Sequence, residues 1–108
     1  MYQRRRPHMN TMSDEENARY DARVKAVFAA KEMEGEAWHT GGNSALEYTE
    51  EQLSKAAELY DRAADLWEAI GNRTWEVRTC HNAAAACRLT LAAKRATSAI
   101  ERATGTDK

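Results

Sequence analysis

The chain has 108 residues and a formal net charge of −1; 43% of its residues are apolar and 31% are charged, a balance that indicates one globular domain and excludes a disordered chain. No apolar run is long enough to span a membrane, and no hydrophobic segment follows the basic start Arg4-Arg5-Arg6 as it would in a secretory signal. We therefore expect a cytoplasmic protein. Abundant alanine and few β-branched residues favour helices over strands.

The charges are distributed unevenly along the chain. Residues 13–71 carry fourteen acidic and six basic side chains, whereas residues 72–108 carry three acidic and seven basic ones. We expect the two parts to complement each other within the fold or across a dimer. The alternative is that the basic last third of the chain contacts an acidic partner.

The first helix is predicted over residues 14–39. Ser13 and Glu16 form a capping box at its start, because the serine oxygen can accept from a free amide while the glutamate reaches back to the serine N–H. Apolar residues follow at three- and four-residue steps: Tyr20, Val24, Val27, Phe28 and Trp38. The glycine pair after residue 40 ends the helix and turns the chain.

Two capping boxes compete for the start of the second helix. One pairs Ser44 with Glu47 and the other pairs Thr49 with Gln52. We favour Thr49, because Tyr48 and Leu53 then fall where a hydrophobic staple would place them. Two apolar stripes indicate a central helix with neighbours on two sides: Leu53, Ala56, Ala57, Tyr60, Ala64 and Trp67, then Leu59, Ala63, Leu66 and Ile70. Gly71 closes this helix.

The third helix is predicted over residues 74–103. Two apolar series of the same rhythm differ in phase: Val77, Cys80, Ala84, Cys87 and Leu91, then Leu89, Ala93, Ala96, Ile100 and Ala103. We favour one continuous helix over a break near residues 88–91, which contain no helix-breaking residue. Such a helix exceeds what a compact three-helix domain needs, so we expect a homodimer to cover its protruding end.

The fold class that follows is all-α: an antiparallel bundle of three long helices, with a split of the third helix as the alternative. Residues 13–104 form a single helical domain, residues 1–12 a flexible basic arm, and residues 105–108 a disordered tail. Four consecutive alanines begin at Ala83 and allow close approach of another helix. We expect Trp38, Tyr60 and Trp67 to supply the opposing bulk.

Residues 53–87 resemble the junction between two tetratricopeptide repeats, a family of stacked helical hairpins. The spacing of Ala56, Tyr60 and Ala63, the turn Ile70-Gly71-Asn72, and Asn82 before small residues carry the resemblance. A generic helical bundle is the alternative, because the sequence departs from the family pattern at several positions: Cys80, Ala83, Ala84 and Cys87 stand where Trp, Leu, Gly and Tyr are expected.

The resemblance implies a scaffold or adaptor that binds a peptide. Its candidate binding residues share one face of the third helix and would grip an acidic or C-terminal carboxylate: Arg78, His81, Asn82 and Arg88, with Ala85 between them. The same face could instead be solvated or paired with the acidic second helix. Two other functions stay open: a nucleic-acid-associated regulator that uses Arg4-Arg5-Arg6, and a structural subunit of a larger phage or secretion assembly.

No pattern predicts an enzyme. The three histidines, His8, His39 and His81, have no metal-ligand spacing with one another or with the cysteines, so we expect no metal and no cofactor. Cys80 and His81 are adjacent on a helix and point about 100° apart, which does not suit a nucleophile and its base. Cys80 and Cys87 are predicted to be reduced, buried residues. On one helix they lie roughly 10 Å apart, which is too far for a disulfide bond between them.

Overall fold

A computed structural model describes residues 13–105, and these form three α-helices with no strand among them. The helices are α1 (Asp14–Ala37), α2 (Glu50–Ile70) and α3 (Thr74–Thr104), and a π-helical turn, Trp38–Gly42, continues α1. The all-α, three-helix prediction is confirmed. The predicted arm over residues 1–12 and all of the predicted tail except Gly105 lie outside the described residues.

Both favoured capping boxes are present. Ser13 accepts from the Glu16 amide at 3.1 Å and its own amide donates to the Glu16 carboxylate at 2.8 Å. At α2, Thr49 accepts from the Gln52 amide at 3.0 Å, and the Gln52 side chain completes the box at 2.8 Å. Ser44, the competing start, lies in the connecting loop with a φ of 60°. Its hydroxyl donates to a cysteine sulfur on α3 instead of capping α2.

The α-helical part of α1 ends at Ala37, two residues before the predicted end, and the π-helical turn follows. This turn brings the backbone of Gly41 against α2, where a Cβ atom at residue 41 would lie 3.2 Å from the Gln52 carbonyl oxygen. A side chain would not fit there without a local shift. The glycine therefore allows the chain to reverse close to the start of α2.

The central helix of the bundle is α2, because both α1 and α3 pack mainly against it. All six residues of its first predicted stripe are buried, and all four residues of the second are buried or half-buried. One cluster of the core lies toward the loop after α1 and contains Ala37, Leu53, Ala56, Tyr60, Ala84, Cys87 and Leu91. The other lies toward the α2–α3 turn and contains Ala30, Ala63, Ala64, Trp67 and Cys80. The small side chains let the helices approach closely.

Several large apolar residues predicted for the core are on the surface. Tyr20, Phe28 and Trp38 are 61%, 66% and 55% exposed. The prediction that Trp38 packs toward the alanine run is therefore wrong, whereas Tyr60 shares a core cluster with Ala84. The reason is rotational: the buried side of α1 is centred on alanines, and the bulky residues flank that side.

The third helix is continuous from Thr74 to Thr104, so the alternative break near residues 88–91 is wrong. Only its first apolar series is core. Leu89 and Ile100, from the second series, are 73% and 62% exposed. Arg95 already lies beside Glu50, the first residue of α2, so later turns of α3 extend past the end of the neighbouring helix.

The molecule is elongated, 84 Å long and 18–19 Å across. Its radius of gyration is 21.4 Å, against about 13 Å for a compact domain of this length. None of the helices within residues 13–105 is both long enough and apolar enough to cross a membrane.

Candidate functional site

The four predicted peptide-binding residues, Arg78, His81, Asn82 and Arg88, are all exposed on α3. They do not share one role. The Arg88 guanidinium lies 2.6 Å from the Asp61 carboxylate of α2, and the His81 ring nitrogen lies 3.4 Å from the same carboxylate. Arg88 and His81 thus contact the second helix, which is the alternative that the sequence left open for this face.

A further ion pair continues this contact toward the C-terminus of α3. Arg95 lies 3.1 Å from Glu50, and together with the Asp61 contacts it forms a row of ionic links between α2 and α3, which we call the ionic edge. Each of these side chains is about a third or more exposed, so each pair stabilises the fold by roughly 0.2–1 kcal/mol. The ionic edge therefore adds little to the stability of the contact between α2 and α3.

Arg78 and Asn82 are one helical turn apart and point away from α2. Within residues 13–105 neither side chain makes a hydrogen bond or an ion pair, and both are exposed. Ala85, the next residue along this face, is also exposed and adds no steric barrier. A guanidinium and a carboxamide at this spacing can both donate to a single carboxylate.

Most other bases of the last third are engaged within the fold. Arg73 lies 3.3 Å from Glu76 and stacks over the Trp67 ring at 5.4 Å, and Lys94 donates to the Leu46 carbonyl at 2.8 Å. These contacts reduce the positive charge that α3 could offer to the phosphates of a nucleic acid. The nucleic-acid-binding hypothesis depends on the arginines at residues 4–6, which lie outside the described part of the chain.

A polar contact inside the second core cluster was not foreseen. The Trp67 indole N–H donates to the Glu34 carboxylate, and Glu34 also hydrogen-bonds the Cys80 thiol. One half-buried carboxylate therefore joins all three helices. The sequence held no signal for it, because Glu34 stands in a polar run with Glu32 and Glu36 and resembles both.

The same cluster makes Cys80 a poor nucleophile. Burial, followed by the charge of Glu34 and its hydrogen bond to the thiol, raises the pKa of Cys80 to about 12. Nucleophilic thiols require the thiolate, which is scarce here at neutral pH. Cys80 and Cys87 are both free and buried, as predicted. Among residues 13–105, no three His, Cys, Asp or Glu side chains are placed to hold a metal ion.

Cys87 belongs to a second polar contact, at the loop that follows α1. Its thiol donates to the Gly41 carbonyl at 3.6 Å and accepts from the Ser44 hydroxyl at the same distance. Thr90, one turn along, donates to the Ser44 carbonyl at 2.8 Å. These bonds hold the loop against α3, so they are structural contacts.

The remaining candidate surface is apolar. Tyr20, Val24, Val27, Phe28 and Arg73 line, with Arg23, an open groove of about 280 Å³ at the end of α2. On α3, Trp75 is 71% exposed. The apolar groove is formed mainly by α1, whereas the ionic edge links α2 to α3, so the two surfaces share no residue.

Comparisons of the chain with protein-family models, with curated proteins and with solved structures found no match.

Proposed function

We propose that this chain is a non-enzymatic interaction module whose third helix binds an acidic peptide through Arg78 and Asn82. The observation that carries the proposal is the contrast on one helix face: His81 and Arg88 contact Asp61, while Arg78 and Asn82 are exposed with no partner in residues 13–105. Two donor groups one turn apart on a helix can both donate to a single carboxylate.

The ion pairs behind these residues support the proposal. Asp61 engages Arg88 and His81, while Arg78 and Asn82 on the same helix make no such contact within residues 13–105. The resemblance of residues 53–87 to a tetratricopeptide-repeat junction points to the same class of function. Because exposed charge pairs contribute only about 0.2–1 kcal/mol each, we expect weak, salt-sensitive binding.

Fluorescence anisotropy with a labelled glutamate-rich peptide that has a free C-terminal carboxylate tests the proposal. The matched probe is a glutamine-rich peptide with an amidated C-terminus. We expect binding of the acidic probe only, and loss of that binding in Arg78→Glu. Arg62→Glu is the control variant, since Arg62 is exposed on α2 away from this face and carries the same charge change.

A second variant tests the role of Asp61. Asp61→Asn removes the charge that binds Arg88 and His81, so both become available to the ligand. We expect the acidic peptide to bind a few-fold more tightly to this variant. Equal binding of both probes, or equal effects of Arg78→Glu and Arg62→Glu, would overturn the proposal.

A further inference from the structure

The N-terminal half of α1 has no tertiary support within residues 13–105. All residues from Ser13 to Arg23 are exposed, Val24 is the first half-buried one, and Ala30 is the first buried one. Val27 packs in the same cluster as Ile70, the last residue of α2. About ten residues of α1 therefore extend roughly 15 Å past the end of α2. Isolated helices of this length are marginal in water, so this segment gains stability from anything that covers it.

This overhang carries an apolar stripe. Tyr20, Val24 and Phe28 follow one another at four-residue steps and so lie along one side of α1. Tyr20 and Phe28 are 61% and 66% exposed, and all three residues line the apolar groove with Arg73. The stripe begins on the unsupported part of α1 and ends on the part that packs against α2.

We infer that a second copy of this chain covers the stripe, with the two α1 helices packed antiparallel about a twofold axis at Val24. Tyr20 and Phe28 lie the same number of residues before and after Val24. A twofold axis there places Tyr20 of each copy opposite Phe28 of the other, which gives two equivalent aromatic pairs. The stripe is thus self-complementary, as an isologous interface requires, and the aromatic pairs contribute beyond their buried area.

One opposite-charge contact fits the same register. Lys31 lies after Val24 at nearly the distance at which the acidic first turn, Asp14 to Glu16, lies before it. In the antiparallel pair the Lys31 ammonium therefore falls beside the first turn of the other copy. Neither Lys31 nor Asp14 has an ion partner within the described residues.

The area is sufficient for a weak dimer. An aromatic side chain offers roughly 150–250 Å², so Tyr20 and Phe28, at 61% and 66% exposure, present roughly 100–150 Å² each. Two copies bury four such rings, or roughly 400–600 Å². The half-buried Val24 and the Lys31 stem add to this, for a total of roughly 600–800 Å², the size of a weak and transient contact. We expect a dissociation constant in the micromolar range or weaker.

Sedimentation equilibrium of the full chain over a range of concentrations tests the dimer. We expect a reversible monomer–dimer equilibrium that Val24→Lys shifts to the monomer by at least tenfold in dissociation constant. Ala22→Lys is the matched control, since Ala22 is exposed on α1 outside the stripe. Far-UV circular dichroism of both variants confirms that each is folded.

A disulfide trap tests the register. Val24→Cys places two thiols at the twofold axis, so mild oxidation should yield a covalent dimer, whereas Ala22→Cys should not. The native cysteines are buried and do not interfere. A monomer at all concentrations would overturn the inference, and so would a dimer that resists Val24→Lys or cross-links equally through residue 22. The peptide-binding proposal is unaffected by any of these outcomes, because it uses Arg78 and Asn82.

Discussion

The indole N–H of Trp67 donates a hydrogen bond of 2.5 Å to the carboxylate of Glu34, and this contact joins α2 to α1 in the middle of the second core cluster. Trp67 is 2% exposed. Its N–H would otherwise be buried without an acceptor, which costs about 1–3 kcal/mol. The bond therefore determines how far α1 can rotate or slide along α2.

We expect Glu34→Ala to lower the free energy of unfolding by about 1–3 kcal/mol, because the Trp67 N–H and the Cys80 thiol both lose their partner. Urea denaturation measures this change in the free energy of unfolding. Glu36→Ala, an exposed acidic residue on the same helix, should change the stability by no more than about 0.5 kcal/mol. Equal effects of the two substitutions would show that the hydrogen bonds of the Glu34 carboxylate do not stabilise the fold.

Stability should fall at alkaline pH. The Cys80 thiol keeps its proton in the folded state up to about pH 12, but releases it near its ordinary value of 9.0 when unfolded. Burial also raises the pKa of Tyr60. Between these values the unfolded state binds fewer protons than the folded state, so the free energy of unfolding decreases as pH rises, by at most about 1.4 kcal/mol per pH unit and group.

Urea unfolding under reducing conditions, below pH 9.0 and again near pH 10.0, measures this dependence. Cys80→Ala removes the thiol and should have a shallower decrease over that interval, even though the variant is less stable overall. An equally steep decrease in Cys80→Ala would assign the alkaline sensitivity to other groups.

Two glycines should respond oppositely to alanine. Gly35 lies inside α1 with no atom within 4 Å of the position of an added Cβ, so Gly35→Ala should stabilise the fold by about 0.5–1 kcal/mol. Gly41→Ala would place its Cβ 3.2 Å from the Gln52 carbonyl oxygen and should destabilise by about 1–3 kcal/mol. Thermal melts measure both, and each kcal/mol corresponds to about 4–8 °C. A lower melting temperature for Gly35→Ala would contradict the first expectation.

Local signals in the sequence predicted all three α-helices. The Ser13 and Thr49 caps depend on residues three positions apart, and the turn at Gly71 needs a φ of 88°, which favours glycine. Interactions this local are the same in any tertiary context. The burial of α2 was also predictable from the sequence, because a helix covered on two sides needs two apolar stripes.

The candidate site was only partly predictable. Its four residues are all exposed on α3, but the separation of Arg88 and His81 from Arg78 and Asn82 depends on Asp61 of the preceding helix. Sequence spacing gives the angle between residues on one helix. It does not give the rotation of that helix against its neighbour.

By itself, the sequence determined that this chain is helical, where its helices begin, and which side of α2 is apolar, because capping and periodicity act within a few residues. Only the tertiary structure decided that Trp38 and Phe28 face solvent, that Glu34 bonds Trp67, and that α1 extends past α2. Those features depend on the rotation and offset of one helix against another, which are set by the packing of side chains far apart in the chain.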